Sequence, residues 1–571
     1  MTPLAGFSDR IFRERYAITP DETWEMACAR VSRYIASAEL NGKSRHTEDD
    51  FFRELTSNRF MPGGRIWYGC GRPKGQLLNC FVQGCDYMDS REGWGKVTSD
   101  SIIISGTGGG IGINFSPVRP RGSEIRGHSG RATGSVSLME IINSAGEVIR
   151  AGGGRRTAIM MCLNHDHPDL MEFMDKKLDL GQLNNANVSV VFMNEPIEKF
   201  LAKVDRDEMH NLMWNGEVVR QVPARHIWNK ILDNAVKCGE PGILNGWLWN
   251  EQNNIHYYQP LISTNPCGEI ALEKYGCCDL GALVLPRFIV DGRLDRRQLA
   301  RTISTGVRFL DNVLDVNNYP LAEIKENCEQ VRRIGLGVMG LHDMLVLLGM
   351  KYTSSEAKDF VRSLFSFIRN KSYDASIDLS IEKGQFPALN RSKFIESGFC
   401  QKSLSEGRRE RILMHGIRNC AVLTIAPTGT TSIVAGCTSG IEPMYTAAYR
   451  RRFRSGDDLQ EEIVMHPMMD QLLQDDDDRV KLYESALNIS PDDHIEMQAI
   501  CQKYVDNAIS KTINLPENYT SKDIDPILRR WISQLKGVTL YRSGSRGESP
   551  IEPLTVEQAM SLGCKGGSCD L

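Results

Sequence analysis

The stretch Ser263-Thr264-Asn265-Pro266-Cys267-Gly268-Glu269-Ile270 restricts the fold more than any other in the chain. Pro266 has no amide donor and Gly268 weakens regular elements, so neither helix nor strand suits the segment. The thiol between them belongs on the tip of a rigid loop. In an extended loop alternate side chains share a face, so Asn265, Cys267 and Glu269 would converge on one small molecule. The same residues also admit a buried structural cysteine in a turn, since cysteine is among the most buried residue types.

With 571 residues the chain suffices for one large enzyme domain with additions, or for three or four average domains. Its 41% hydrophobic and 25% charged residues suit a soluble globular protein. A formal net charge of -4 gives no electrostatic basis for partnership with nucleic acid or membrane. The first residues lack an apolar signal core and no apolar run is long enough to span a bilayer, so a cytoplasmic location is expected.

Sixteen cysteines are too sparse for a disulfide scaffold, and most of them, such as Cys28, Cys162 and Cys501, stand in contexts that suit packing. No Cys-x-x-Cys pair has a matching second pair. In His165-Asp166-His167-Pro168-Asp169, Pro168 opens a helix whose first turn favours acids, so a metal site is not expected there either.

Along the chain, residues 9–60 read as helices, with Asp21 able to cap one that runs through Thr23-Trp24-Glu25-Met26-Ala27. Leu77 to Val82 is a short apolar strand, and spacing alone makes its Cys80 a core residue. The run Gly106-Thr107-Gly108-Gly109-Gly110-Ile111-Gly112-Ile113 is a weak dinucleotide fingerprint, since no acidic residue follows at a suitable distance and Asn114-Phe115-Ser116-Pro117 opens no helix. Glycines in such a run let backbone come close to a ligand. Arginine- and glycine-rich loops at 121–131 and 151–156 suit phosphate recognition or simple solvation. Asn184 to Phe192 is a strand, with helices following to about Cys238. Ile425-Ala426-Pro427-Thr428-Gly429-Thr430-Thr431-Ser432 sets hydroxyls and a glycine at the entry to a helix, which forms a phosphate cradle or a cap. Asp475 to Asp478 is a solvated turn. The tail from Gly547 carries Cys564 and Cys569 among Pro, Ser and Gly.

Asn-Pro-Cys-Gly-Glu-Ile, following Gly239-Glu240-Pro241-Gly242-Ile243-Leu244 and followed by Cys277-Cys278-Asp279-Leu280-Gly281, resembles the finger loop of ribonucleotide reductase catalytic chains. The resemblance extends in order through Pro62-Gly63-Gly64-Arg65-Ile66, Asn79-Cys80-Phe81-Val82, Pro427-Thr428-Gly429-Thr430 and Leu540-Tyr541-Arg542-Ser543-Gly544. It implies an α/β fold: a ten-stranded α/β barrel of two five-stranded halves with a central finger loop at residues 61–546, N-terminal helices at 1–60, and a flexible redox tail at 547–571. It implies reduction of a ribonucleotide substrate, at the di- or triphosphate level, to the 2′-deoxyribonucleotide used as a DNA precursor. Cys267 would act as a thiyl radical that removes the 3′-hydrogen. Glu269 would take the 3′-hydroxyl proton and Asn265 would hold that hydroxyl. Cys80 and Cys278 would form the reducing pair, with Asp279 standing where the family more often has asparagine. Gly64, Asn79, Gly110, Pro427, Thr428, Gly429, Thr430 and Thr431 would contact substrate. Asp89, Ser90, Arg126, Arg131, Arg155 and Arg156 would contact a deoxynucleotide effector, although Asp89-Ser90 lies two residues further from Cys80 than the usual pattern.

Within the family, reductases that draw their radical from a separate metal subunit carry two consecutive tyrosines near the C-terminus, whereas here Tyr541 precedes Arg542. That difference, and the absence of an Asp-x-His-x-x-Gly cobalt-ligating motif, resembles the adenosylcobalamin-dependent class. A subunit needing a metal-radical partner, and a non-catalytic nucleotide sensor, are the rival readings. Cys564 and Cys569 would shuttle electrons from thioredoxin or a similar dithiol reductant. Monomer and homodimer both stay open.

Overall fold

The computed structural model describes residues 4, 6–39, 44–125, 127, 129–151, 155–178, 182–455, 458–545, 551–554, 558 and 568–570. Its centre is a ring of ten extended segments. Five strands, Cys80–Val82, Gly110–Asn114, Ile159–Asn164, Ala186–Val191 and Gly242–Leu244, pair in that order and are all parallel. A second parallel set contains Cys277–Val284, Ile334–Met339, Thr512–Leu515 and Gly537–Arg542. Its middle member is the extended segment 421–426, which bridges Leu336 through Leu423 and Ile509 through Ile425. Backbone bonds from Leu336 N–H to Val422 O (2.8 Å) and from Ser510 N–H to Ile425 O (2.8 Å) complete those seams. The halves meet antiparallel at two places, Cys278 opposite Cys80 and Ile243 opposite Val538.

Why these segments become barrel strands follows from their composition. Parallel strands are covered on both faces and so read as nearly unbroken apolar runs. Residues Ile159 to Leu163 and all eight of Cys277–Val284 are buried. Helices seal the outside. Arg296–Val316 presents Leu299, Ile303, Val307 and Leu310 at helical spacing to the strands.

The N-terminal helices are Gly6–Arg15, Trp24–Ala36 and Ser44–Thr56. The second is capped by Thr23, whose hydroxyl accepts from Met26 N–H at 3.2 Å, rather than by Asp21. The first reaches the barrel, where the Ser8 hydroxyl donates to Ile433 O at 2.7 Å. After Pro168 the helix starts only at Leu170, and the expected 184–192 strand is trimmed to Ala186–Val191. Among the described residues, no helix is long and apolar enough to cross a membrane.

Candidate active site

The segment read from sequence as a rigid loop is a finger inside the barrel. Ser263–Thr264 and Ala271–Leu272 form a short antiparallel ladder, and residues 265–270 make its tip. The tip closes on itself through Gly268 N–H to Asn265 O (3.0 Å) and Ile270 N–H to the Asn265 side-chain oxygen (3.2 Å). Gly268 has φ +80° with open space where a Cβ would stand, so glycine is needed for the turn and not for room.

Both halves of the barrel hold the finger. On the first half, Asn187 Nδ2 donates to Pro266 O at 2.7 Å. On the second, Thr424 Oγ1 (2.6 Å) and Ala508 N–H (2.8 Å) both donate to Glu269 O. The glycine run explains itself here. A Cβ on Gly112 would stand 1.8 Å from Thr264 O, and one on Gly110 would stand 2.9 Å from the Pro266 ring. The close approach that glycine permits is therefore chiefly to the finger's own backbone, although Gly110 also borders the cavity at its tip. Asn187 and Thr424 were not singled out in the sequence, because nothing local marks a residue whose partner is 79 or 155 positions away.

That cavity, about 390 Å³, is lined by Asn265, Cys267 and Glu269, by Asn79 and Cys80, by Gly64 and Gly110, and by Pro427 to Thr431. The structure thus gathers every residue expected around substrate. Cys278 sits behind Cys80, fully buried, as its register partner across the antiparallel seam. Cys80 Sγ lies 3.9 Å from Glu269 Oε1, while Glu269 Oε2 and the Asn79 side-chain oxygen are buried without hydrogen-bond partners. Buried acceptors left unsatisfied are costly, so this pair is poised for a ligand's hydroxyl groups. Thr428 takes the left-handed conformation (φ +53°) at the entry to the helix Gly429–Ala435.

Burial sets the titration of the group. It raises Glu269 to about 7, with hydrogen bonding from Asn265 opposing the rise. A carboxyl near 7 exchanges protons readily at neutral pH. Burial also pushes the thiols of Cys267, Cys80 and Cys278 up, so all three rest protonated. Cys267 is deep in the protein, yet its surface is open to the cavity. Asp279, next to Cys278 in the strand, has both carboxyl oxygens buried and unpartnered, and burial drives it far above the usual carboxylate range.

Cys267 also borders a smaller space of about 130 Å³ on its other side, which shares Thr539 with a third cavity of about 780 Å³. Met444, Tyr445, Tyr449, Leu540 and Tyr541 give this 780 Å³ cavity a broad apolar lining. Gly429 and Gly436 leave open floor in it, with nothing nearer than 3.8 Å to a Cβ on either.

The predicted effector residues are less uniform. Asp89 is held by Arg119, whose Nε and Nη2 donate to it at 2.7 and 3.0 Å, and Ser90 caps the helix Arg91–Gly106 by accepting from Gly93 N–H at 2.9 Å. Arg131 donates to Gly122 O at 3.1 Å. Arg155–Arg156 pairs with Arg150–Ala151 as a two-stranded hairpin, directly before Thr157 and Ala158 in the cavity wall. Arg126 and Cys564 lie outside the described residues. Cys569 belongs to the strand Ser568–Asp570, which pairs with Glu462, Ile463 and Val464 of the hairpin Ala448–Ser455/Asp458–Met465.

The comparisons with known proteins agree with this geometry. Residues 78–541 match the ribonucleotide reductase barrel domain and residues 5–75 its all-alpha domain. A vitamin B12-dependent ribonucleoside-diphosphate reductase of Mycobacterium tuberculosis is 33% identical over 98% of this chain and 83% of its own length. One from Thermoplasma acidophilum is 35% identical over 88% of the chain and 66% of its own. The ribonucleoside-diphosphate reductase alpha subunit of Chlamydia pneumoniae is 27% identical over 88% of the chain and 55% of its own. With a barrel-domain match across residues 78–541 and an all-alpha match across residues 5–75, the chain belongs to the ribonucleotide reductase family.

Proposed function

We propose that the protein reduces ribonucleoside diphosphates to 2′-deoxyribonucleotides with adenosylcobalamin as its radical source. The observation that carries this reading is the placement of Cys267, open to the 390 Å³ cavity on one side and bordering, on the other, a smaller space that shares its wall residue Thr539 with the 780 Å³ cavity. The cavity beyond it offers a wall of Met444, Tyr445, Tyr449 and Tyr541 against which the flat face of a corrin would rest. When bound, that cofactor supplies the means of converting the Cys267 thiol to a thiyl radical.

The rest is the work of the chain's own groups. Pro427 to Thr431 and the exposed amides at the start of Gly429–Ala435 take the substrate's phosphates. Cys267 removes the 3′-hydrogen, and Asn265 orients the 3′-hydroxyl while Glu269, near pH 7, accepts its proton. Loss of the 2′-hydroxyl as water consumes a proton, and Cys80 with Cys278 provides it. Two electrons also pass from this dithiol to the substrate, leaving a disulfide, while Glu269 returns its proton and Cys267 returns the hydrogen atom to C3′, which restores the thiyl. Cys278 is sealed from solvent, so re-reduction needs a carrier, a role assigned to Cys564 and Cys569 with thioredoxin or a similar dithiol as donor. Loops 119–156 bind a deoxynucleotide effector, and their lever on substrate choice is the short path from Arg155–Arg156 to Thr157 in the cavity wall. The helices Arg91–Gly106 and Ser135–Val148 pack together and expose Ile102, Ile103 and Ile141, which suits a homodimer.

Purified chain given adenosylcobalamin, a small dithiol and a ribonucleoside diphosphate should form deoxynucleotide. Product that appears only after a metal-containing partner subunit is added would sink the cofactor assignment.

A further inference from the structure

Two histidines near the edge of the barrel, His165 and His210, differ from their satisfied neighbour His167. His167 is an ordinary core histidine, with Nε2 bonded to Val118 O at 3.0 Å and Nδ1 accepting from Asp169 N–H at 3.1 Å. His165, two positions earlier, is 0% exposed and has no hydrogen-bond partner at either ring nitrogen. His210 is 3% exposed and in the same state. A buried polar atom without a partner normally needs an explanation, and here there are four in two adjacent rings.

The two rings face one another, with centroids 5.0 Å apart. Phe192 and Phe200 wall them in, at 4.7 Å from His165 and 5.1 Å from His210 respectively. Glu195 closes the open side. Its Oε1 lies 3.5 Å from His165 Nε2 and 3.8 Å from His210 Nδ1, close in distance but outside hydrogen-bond geometry. One ligand atom from each of the three residues lies within 4.8 Å of the others.

We propose that His165, Glu195 and His210 form a site for a divalent first-row transition cation, with zinc the best match, separate from the reducing centre. Two imidazole nitrogens and one carboxylate oxygen are a donor set that zinc favours, leaving one position for water. Zinc bonds of about 2.0–2.2 Å at tetrahedral angles set donors roughly 3.4 Å apart, so side-chain shifts of about 1 Å close the site. None of the three residues lines the cavities around Cys267.

Lys203 is the competing cation. Its ammonium donates to both Glu195 oxygens, at 2.7 and 2.9 Å. It is 29% exposed on a flexible stem, so it can turn toward water and yield one oxygen. The ligands come from three elements: His165 follows the strand Ile159–Asn164, Glu195 precedes the helix Ile197–Asp205, and His210 lies in the strand Met209–Trp214. A cation there pins the surface hairpin Met209–Trp214/Glu217–Pro223 to the barrel.

The test uses the full chain, stripped by chelator and titrated with Zn²⁺ or Co²⁺. One Co²⁺ should bind per chain with visible ligand-field bands and no intense thiolate charge-transfer band, and Zn²⁺ should raise the unfolding temperature. His210→Ala should abolish this binding. Glu195→Gln, at the rim and expected to fold as the parent does, should weaken it at least about tenfold. Lys203→Met should tighten it. A Co²⁺ spectrum dominated by thiolate bands, absence of uptake by the parent chain, or equal uptake by the parent and by Glu195→Gln would each overturn the proposal.

Discussion

Cys267 and the Cys80–Cys278 pair meet at one cavity but are held in opposite ways. Cys267 rides on a loop tip held through its flanking residues, by bonds from Asn187 to Pro266 O and from Thr424 to Glu269 O, and it borders open space on both sides. Cys80 and Cys278 are opposed residues in a strand seam, and Cys278 has no exposed surface. A radical carrier has to reach both its source and the substrate. A reducing pair has only to reach the substrate and each other. The difference teaches that accessibility, and not intrinsic thiol acidity, separates their roles, since burial raises all three thiols alike.

Removing the open thiol tests the comparison most severely. Cys267→Ser should lower turnover by more than about 10³-fold while nucleotide affinity is unchanged, because the group acts only along the reaction path. Equilibrium binding and steady-state rates on the same preparation would show it, and appreciable remaining turnover would remove Cys267 from its role.

Glu269 joins the two regions, being on the finger yet 3.9 Å from Cys80. Turnover should rise with pH through about 7 as its carboxyl ionises, and Glu269→Gln should cost at least about 10²-fold and lose that limb. Stability should move the other way. The folded-state value is raised from 4.5 to about 7, so the wild type is favoured most below pH 4.5 and loses that advantage as pH rises to 7. The loss is on the order of 3 kcal/mol, and denaturant unfolding should show that Glu269→Gln escapes it.

The sealed pair should depend on a carrier. With Cys564 and Cys569 both changed to serine, pre-reduced enzyme should give about one turnover per site and then stop with thioredoxin, while a small dithiol restores cycling. Normal thioredoxin-driven cycling by that variant would mean that Cys80 and Cys278 are less closed than the seam suggests. Smaller still is Gly112→Ala, whose Cβ meets Thr264 O at 1.8 Å. It should destabilise the fold by about 1–3 kcal/mol and displace the finger, whereas Gly268→Ala, in open space, should carry only backbone strain.

How legible this was depended on range. Pro266 and Gly268 announced a loop tip, because a ring and a missing side chain act locally. The family motifs then named the residues of the cavity. The ring itself was hidden from periodicity, since strands of three residues such as Cys80–Val82 and Gly242–Leu244 are too short to show any, and 421–426 is held by isolated bridges. The role of Gly110 and Gly112 was half visible: close approach was legible, but not that the approaching atoms belong to the finger. Asp21 lost the cap to Thr23 because both suit the position and only geometry decides. His165 and His167 looked like one pair, and only the fold shows that His165 belongs with His210.

The central claim is that the open thiol of Cys267 carries the radical without a partner subunit. Rapid-freeze electron paramagnetic resonance of the full chain with adenosylcobalamin, effector and ribonucleoside diphosphate tests it directly. The account predicts a radical signal whose hyperfine structure narrows when cysteine β-carbons are deuterated, and which is absent from Cys267→Ser. An equal signal in Cys267→Ser, or one that forms only with a metal-containing subunit, would contradict it.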